Sequence, residues 1–263
     1  MVTMSAKVKT RLLDGVKRFK PIVVKAKDKD VNESDTVAII MDILSDVFGY
    51  DKYSEITSEY AIKKTFCDLA IKVNGQPRIL IEAKAAGLNL KDQHIKQAVD
   101  YGSNSGVEWV ILTNAVQWMV YRIIFGKPVV SEMVYDFDFT QINTKKESDL
   151  ELLYYLTKEA MSKTGKASLD EFHTHKQMVN KYVVSQILLS DPVLDATRKA
   201  LKKIAPETKA TNEELYRIIN DEIIKRDVLD DEKAVASKKI VAKALAPAKK
   251  VEKPVATKEE TVG

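Results

Sequence analysis

Thr65-Phe66-Cys67-Asp68-Leu69-Ala70-Ile71-Lys72-Val73-Asn74-Gly75-Gln76-Pro77-Arg78-Ile79-Leu80-Ile81-Glu82-Ala83-Lys84 reads as strand, tight turn and strand, and it decides the fold. Both arms are rich in β-branched and aliphatic residues, and Asn74-Gly75 ahead of Pro77 is hairpin punctuation. Along the second arm Leu80, Glu82 and Lys84 share one face by the period of two, with Ile79, Ile81 and Ala83 on the other. An acid and a lysine therefore point the same way from an otherwise apolar strand. Charge among strand aliphatics is costly to bury unless it is paired or bound to a metal. Two explanations stand at this point. One is a Glu82–Lys84 pair at the solvent face of a strand end. The other is a divalent-metal site in which Asp68 and Glu82 supply carboxylate oxygens and the main-chain carbonyl of Ala83 adds a third ligand.

The metal reading makes a geometric demand. If Asn74 and Gly75 form a strict two-residue turn, Val73 sits opposite Gln76, Asp68 sits opposite Ile81, and Glu82 falls on the wrong face. A three-residue loop or a bulge must add one residue of offset, and Pro77, which cannot donate to a ladder, is a natural place for irregularity.

Two helices flank this hairpin. Asn32 is a good N-cap for a helix whose apolar stripe is Val37, Ile40, Met41, Leu44, Val47 and Phe48. Glu33, in its first turn, either looks inward or simply complements the helix dipole there. A second helix, from about Asn89 to Gly102, buries Ile95, Ala98 and Val99 and sets Gln97 and Tyr101 one turn apart. That polar pair suits a phosphate or a base, and equally a solvated face.

In order and spacing, Glu33, Asp68, Glu82-x-Lys84 and Gln97-x-x-x-Tyr101 resemble the PD-(D/E)xK nuclease superfamily, in particular the N-terminal nuclease domain of type I restriction enzyme R subunits. Asn74-Gly75-x-Pro77, Ile81-Glu82-Ala83-Lys84-Ala85, and Leu112-Thr113-Asn114 followed by Trp118 and Tyr121 carry the likeness further, over about residues 30 to 135. Cys67 stands where the superfamily's name has proline. The resemblance implies an α/β restriction-endonuclease-like core, a mixed β-sheet flanked by helices in the order αβββαβ. It implies Mg²⁺-dependent hydrolysis of DNA, with Mn²⁺ substituting. Asp68, Glu82 and the Ala83 carbonyl would hold the metal, Lys84 would orient the water, Glu33 would act in the outer shell or at a second metal, and Gln97 and Tyr101 would position DNA. Double-strand cutting would call for two sites and hence a homodimer. The competing class is a catalytically idle nuclease fold kept as a DNA- or protein-binding assembly module.

The rest of the sequence sets bounds. R subunits carry a helicase motor, yet no G-x-x-x-x-G-K-[ST] occurs here, so no ATP is expected. The single Cys67 excludes an internal disulfide, and no apolar run is long enough to span a membrane, which together point to a cytoplasmic protein. The net charge is +4, but eight lysines against five acids from Asp231 onward place most of it in the tail, so charge alone does not argue for DNA. Local clustering of Lys63, Lys64, Lys72, Lys91 and Lys96 remains available for a groove. The expected organisation is a basic docking helix or arm over 1–30 with Val8, Leu12, Val16 and Phe19 as its stripe, a nuclease domain over 31–140, a helical appendage over 146–230 and a disordered tail over 231–263. Strands are expected from Val107 to Thr113 and Gln117 to Ile124, and a helix from Ser148 to Lys163 that stops at Gly165. Helix starts follow at Ser168, Asp191-Pro192 and Thr211. His173 and His175, two apart on a helix, diverge and are not read as metal ligands.

Overall fold

The computed structural model describes residues 3–62, 65–162 and 165–246, and the chain divides into two units, Met1–Thr174 and His175–Gly263. The first unit holds helices α1 (Ala6–Asp28) and α2 (Glu33–Asp46), strands β1 (Ile56–Ile62), β2 (Thr65–Val73) and β3 (Gln76–Ala83), helix α3 (Asp92–Ser105), and strands β4 (Trp109–Thr113), β5 (Gln117–Ile124) and β6 (Val130–Asp138). Helices α4 (Glu147–Tyr154), α5 (Lys158–Ser162) and α6 (Gly165–Met178) follow, the division between units falling within α6.

The six strands lie in sequence order in one mixed sheet. Every neighbouring pair is antiparallel except β3 and β4, which run parallel because α3 carries the chain back between them. Alternation along β3 divides the core. Ile79, Ile81 and Ala83 pack beneath Leu12, Val16 and Phe19 of α1 and Ile40, Ile43 and Leu44 of α2, whereas Leu80 faces Ile95, Ala98 and Tyr101 of α3. The helix–strand order from α2 to β4 is αβββαβ, and β5 and β6 extend the sheet beyond it.

Helix α3 comes close to the sheet because residue 102 is glycine: a Cβ there would sit 2.2 Å from Ile123 Cδ1, 2.9 Å from Val110 Cγ2 and 3.0 Å from the Val107 carbonyl oxygen. Gly102→Ala is therefore expected to overpack this contact and lower the unfolding free energy by about 1–3 kcal/mol, measured by urea denaturation.

Several sequence boundaries shift. Of the two readings of the N-terminal segment, the docking helix fits and the arm does not: the stripe Val8, Leu12, Val16, Phe19 and Val23 of α1 is buried in the main core. The helix expected over 148–163 breaks into α4 and α5, and Gly165 starts α6 rather than ending its predecessor. Strand β6 was not anticipated, and α4 and α5 belong to the first unit rather than to a separate appendage.

The second unit is helical: α7 (Lys181–Leu188), α8 (Asp191–Ile204), α9 (Asn212–Ile218) running into a π-helical turn at Ile219–Ile223, α10 (Arg226–Leu229) and α11 (Glu232–Ala244). Pro192 opens α8 and a Thr211–Glu214 capping box opens α9, both as the sequence indicates. Helix α11 corrects the reading of 231–263 as one disordered tail. Asp231 caps it through the Lys233 amide, and Ala234, Ser237 and Val241 form a buried stripe at helical spacing. Residues 247–263 of that tail lie outside the described residues. No helix among the described residues is long and apolar enough to cross a membrane.

Candidate functional site

The β2–β3 hairpin supplies the offset by a bulge beside Pro77 and not by a longer loop. The turn is a strict two-residue one, with Asn74 and Gly75 both at positive φ (52° and 75°) and Val73 opposite Gln76. Lys72 then pairs with Pro77 but Ile71 pairs with Ile79, so Arg78 is the extra residue of a bulge. Beyond it the register runs Ala70↔Leu80 and Leu69↔Ile81. Continued by one residue, that register sets Asp68 across from Glu82. Here the ladder gives way to a side chain: the Ala83 amide donates to Asp68 Oδ2 at 2.7 Å.

Strand β3 carries Glu82 into the interior, where it is 1 % exposed. Lys84 Nζ donates to Glu82 Oε1 at 2.6 Å and lies 3.6 Å from Glu33 Oε2 at the start of α2. The other oxygen, Glu82 Oε2, is buried with no hydrogen-bond partner. Burial, with the charges of Asp68 and Glu33, pushes the Glu82 carboxyl up to about 7 despite its bond to Lys84. Burial likewise raises the Asp68 carboxyl, against the Ala83 amide and Lys84, which favour its charge. For Lys84, burial disfavours the ammonium, but the bond to Glu82 and the charges of Glu82, Glu33 and Asp68 outweigh it and hold the pKa above the usual lysine range. The Cys67 thiol next door is pushed up to about 12 by burial and by Glu82, so it is an inert neighbour.

Four of the residues singled out in the sequence thus gather at one strand end: Glu33, Asp68, Glu82 and Lys84. What holds α2 there is Thr36, fully buried, whose Oγ1 donates to the Asn32 carbonyl and accepts from the Ala86 amide at 3.1 Å. Ala86 also donates to the Val31 carbonyl, so the segment leaving Lys84 is tied to the N-terminus of α2. Asn114, in the β4–β5 turn, donates to the Leu88 carbonyl at 2.8 Å and accepts from the Val116 and Gln117 amides, bracing that segment from the other side. The sequence reading assigned Thr36 no role; its only signal is a hydroxyl on the buried side of a helix's first turn.

Gln97 and Tyr101 divide. Gln97 is exposed, but Tyr101 is 9 % exposed and belongs to the apolar cluster beneath α3, its hydroxyl accepting from Gln97 Nε2 at 2.9 Å. Tyr101 therefore packs and anchors, and Gln97 is the member of the pair open to a ligand. His173 is buried between Arg122 and Glu132, with Nδ1 3.2 Å from the guanidinium and Nε2 3.0 Å from the carboxylate. His175 falls in the second unit. Of the lysines considered for a groove, Lys72 stacks over Tyr60, Lys91 precedes α3 and Lys96 is exposed, while Lys63 and Lys64 lie outside the described residues.

Among the described residues no three His, Cys, Asp or Glu side chains are gathered to hold a metal by themselves. A divalent ion would rely on two carboxylates, a main-chain carbonyl and water, the ligand set Mg²⁺ favours because it sheds water reluctantly. The unpartnered Glu82 Oε2, with the Asp68 carboxylate across from it, fits such an ion.

Residues 32–135, which contain all of these groups, match the family described as Type I restriction enzyme R protein N terminus (HSDR_N). No curated protein and no solved structure matches the chain. Over this span the chain resembles the N-terminal nuclease domain of those proteins.

Proposed function

We propose that this chain is a metal-dependent DNA endonuclease with a restriction-endonuclease-like core, acting on DNA in the cytoplasm. The observation that carries the reading is the strand end where Lys84 grips one oxygen of a buried Glu82 and leaves the other unpartnered, across a bulged hairpin from Asp68. Retaining that costly trio is unexplained by a scaffold role. Mg²⁺, or Mn²⁺ in its place, held by Asp68, Glu82 and the Ala83 carbonyl, would lower the pKa of water and neutralise charge on the phosphate.

The chain's own groups supply the rest. Lys84 is a compact charge on a flexible stem, held between Glu82 and Glu33, and it orients the attacking water and offsets negative charge as it develops on the phosphate. Glu33, half exposed at the head of α2 and 3.6 Å from the Lys84 ammonium, acts in the outer shell. Asp68, fixed by the Ala83 amide, is preorganised rather than free to rotate. Gln97 contacts the DNA backbone or a base, with the Tyr101 hydroxyl setting its amide. Cutting both strands would engage two copies, as a homodimer on one duplex.

Supercoiled plasmid tests this. The purified protein is expected to convert it to nicked or linear form with Mg²⁺ or Mn²⁺ and to leave it intact in EDTA. DNA binding with no conversion in either metal would sink the hydrolytic reading in favour of an idle binding module.

A further inference from the structure

Strand β2 is longer than its contact with β3. Pairing to β3 covers only Leu69 to Val73, whereas pairing to β1 continues through Cys67↔Tyr60, Phe66↔Ala61 and Thr65↔Ile62. The β1–β2 hairpin thus leaves the sheet at Asp68 and runs on as a two-stranded arm. A positive φ of 48° at Glu59, the residue across from Asp68, turns the arm at this point. One face is seated: Ile62 and Cys67 are buried in the cluster beneath α3, with Tyr60 against them. Among the described residues the other face is exposed. It holds Phe66, 61 % exposed, whose cross-strand neighbour is only an exposed alanine, Ala61.

Phe66 is two residues from Asp68, a separation of about 7 Å along a strand. If the nuclease reading holds, an exposed aromatic ring at that distance from Asp68 lies within reach of a nucleotide next to the cleaved phosphate. We infer that Phe66 is a stacking platform for a DNA base next to the scissile phosphate, engaging a base unstacked in single strands or at a kinked duplex step. Base–aromatic stacking tolerates any base, because every base offers a π-face, and apolar side chains wedged between base steps are a recurrent means of kinking a duplex. The inference rests on the nuclease reading for its location but makes a binding claim that stands apart from cutting. Phe66 is here a positioning residue and takes no part in bond breaking.

The test uses the full chain with Phe66 replaced by Ala, Leu or Trp, in EDTA, against single-stranded and duplex oligonucleotides carrying 2-aminopurine. Stacking is expected to quench 2-aminopurine with the wild type and with Phe66→Trp, and Phe66→Ala is expected to weaken binding about tenfold and abolish the quench. The added tryptophan is itself a reporter, since Trp109 and Trp118 are buried at 2 % and 0 % exposure. In metal-activated nicking, Phe66→Ala is expected to raise KM by more than it lowers kcat. Wild-type affinity and quench in Phe66→Ala would overturn the inference while leaving the nuclease reading intact. Full rescue by Phe66→Leu would overturn stacking as the mode of contact. A wild type that never cuts, yet loses DNA affinity and quench on Phe66→Ala, would sink the nuclease reading and support this one.

Discussion

Asp68→Asn and Lys84→Ala are each expected to lower plasmid nicking in Mg²⁺ by about a hundredfold to a thousandfold, with the fold retained by circular dichroism. The magnitude follows from what each group does. Asp68 is one of two side-chain carboxylates facing the metal position, and Asn keeps its shape and its capacity to accept from the Ala83 amide while removing the charge. Among the described residues Lys84 is the only ammonium within 4 Å of Glu82, and losing one preorganised electrostatic contact to a developing charge typically costs 10²–10³ in rate. The two variants fail differently. Asp68→Asn is expected to lose metal-dependent thermal stabilisation, since it removes a ligand. Lys84→Ala is expected to keep DNA-independent metal binding, because the ion compensates the Glu82 charge that lysine had paired. Lys84→Arg is the sharper control: its planar, more bulky guanidinium cannot reproduce a compact point charge in a site where Lys84 is 12 % exposed, so a large loss is expected there too. Nicking retained within a few-fold in Asp68→Asn or Lys84→Ala would mean that the observed cutting comes from a contaminant.

The parts of this site that could be read from sequence were those set by local rules. Strand alternation placed Glu82 with Lys84, and the need for Asp68 to face Glu82 required an extra residue somewhere in the hairpin. Proline pointed to its location: Asn74-Gly75 satisfies a two-residue turn at positive φ, leaving the irregularity to Pro77-Arg78, where the missing amide of proline already interrupts the ladder. The setting of Tyr101 was less legible. Its hydroxyl suggested a ligand, but the residue lies one turn from Ala98 on the stripe that α3 buries, so its ring serves the core and only the hydroxyl edge remains polar. Thr36 and the carbonyls it bonds are brought beside Ala86 by tertiary packing across fifty residues, which no spacing rule encodes. The same holds at the chain end, where α11 has an ordinary Ala-Lys-Val composition and is recognisable as a helix only through its cap and its buried stripe.

Glu82 links stability to both protons and metal, and Glu82→Gln is expected to be more stable than the wild type above neutral pH when metal is chelated. A carboxyl whose pKa is higher folded than unfolded holds its proton more tightly in the native state. Its stabilising contribution is therefore complete below the unfolded value near 4.5 and is lost as pH rises through about 7. At 1.36 kcal/mol per pH unit, the interval corresponds to a loss of order 3 kcal/mol by pH 8. Gln mimics the protonated acid and carries no such loss, so the two unfolding curves are expected to coincide near pH 4.5 and to diverge from there to pH 8. Asp68, whose pKa is also raised, contributes with the same sign in both proteins and largely cancels from the difference. The elevated pKa of Lys84 acts only at alkaline pH, outside this window. Adding Mg²⁺ at tenfold over its Kd should then restore about 1.4 kcal/mol to the wild type and nothing to Glu82→Gln, reversing part of the gap. Parallel pH curves in EDTA, or an equal response to Mg²⁺, would show that the buried carboxyl is neither strained by its burial nor a metal ligand. The predicted pattern would instead mean that the protein tolerates an unfavourable buried acid because the occupied site relieves it.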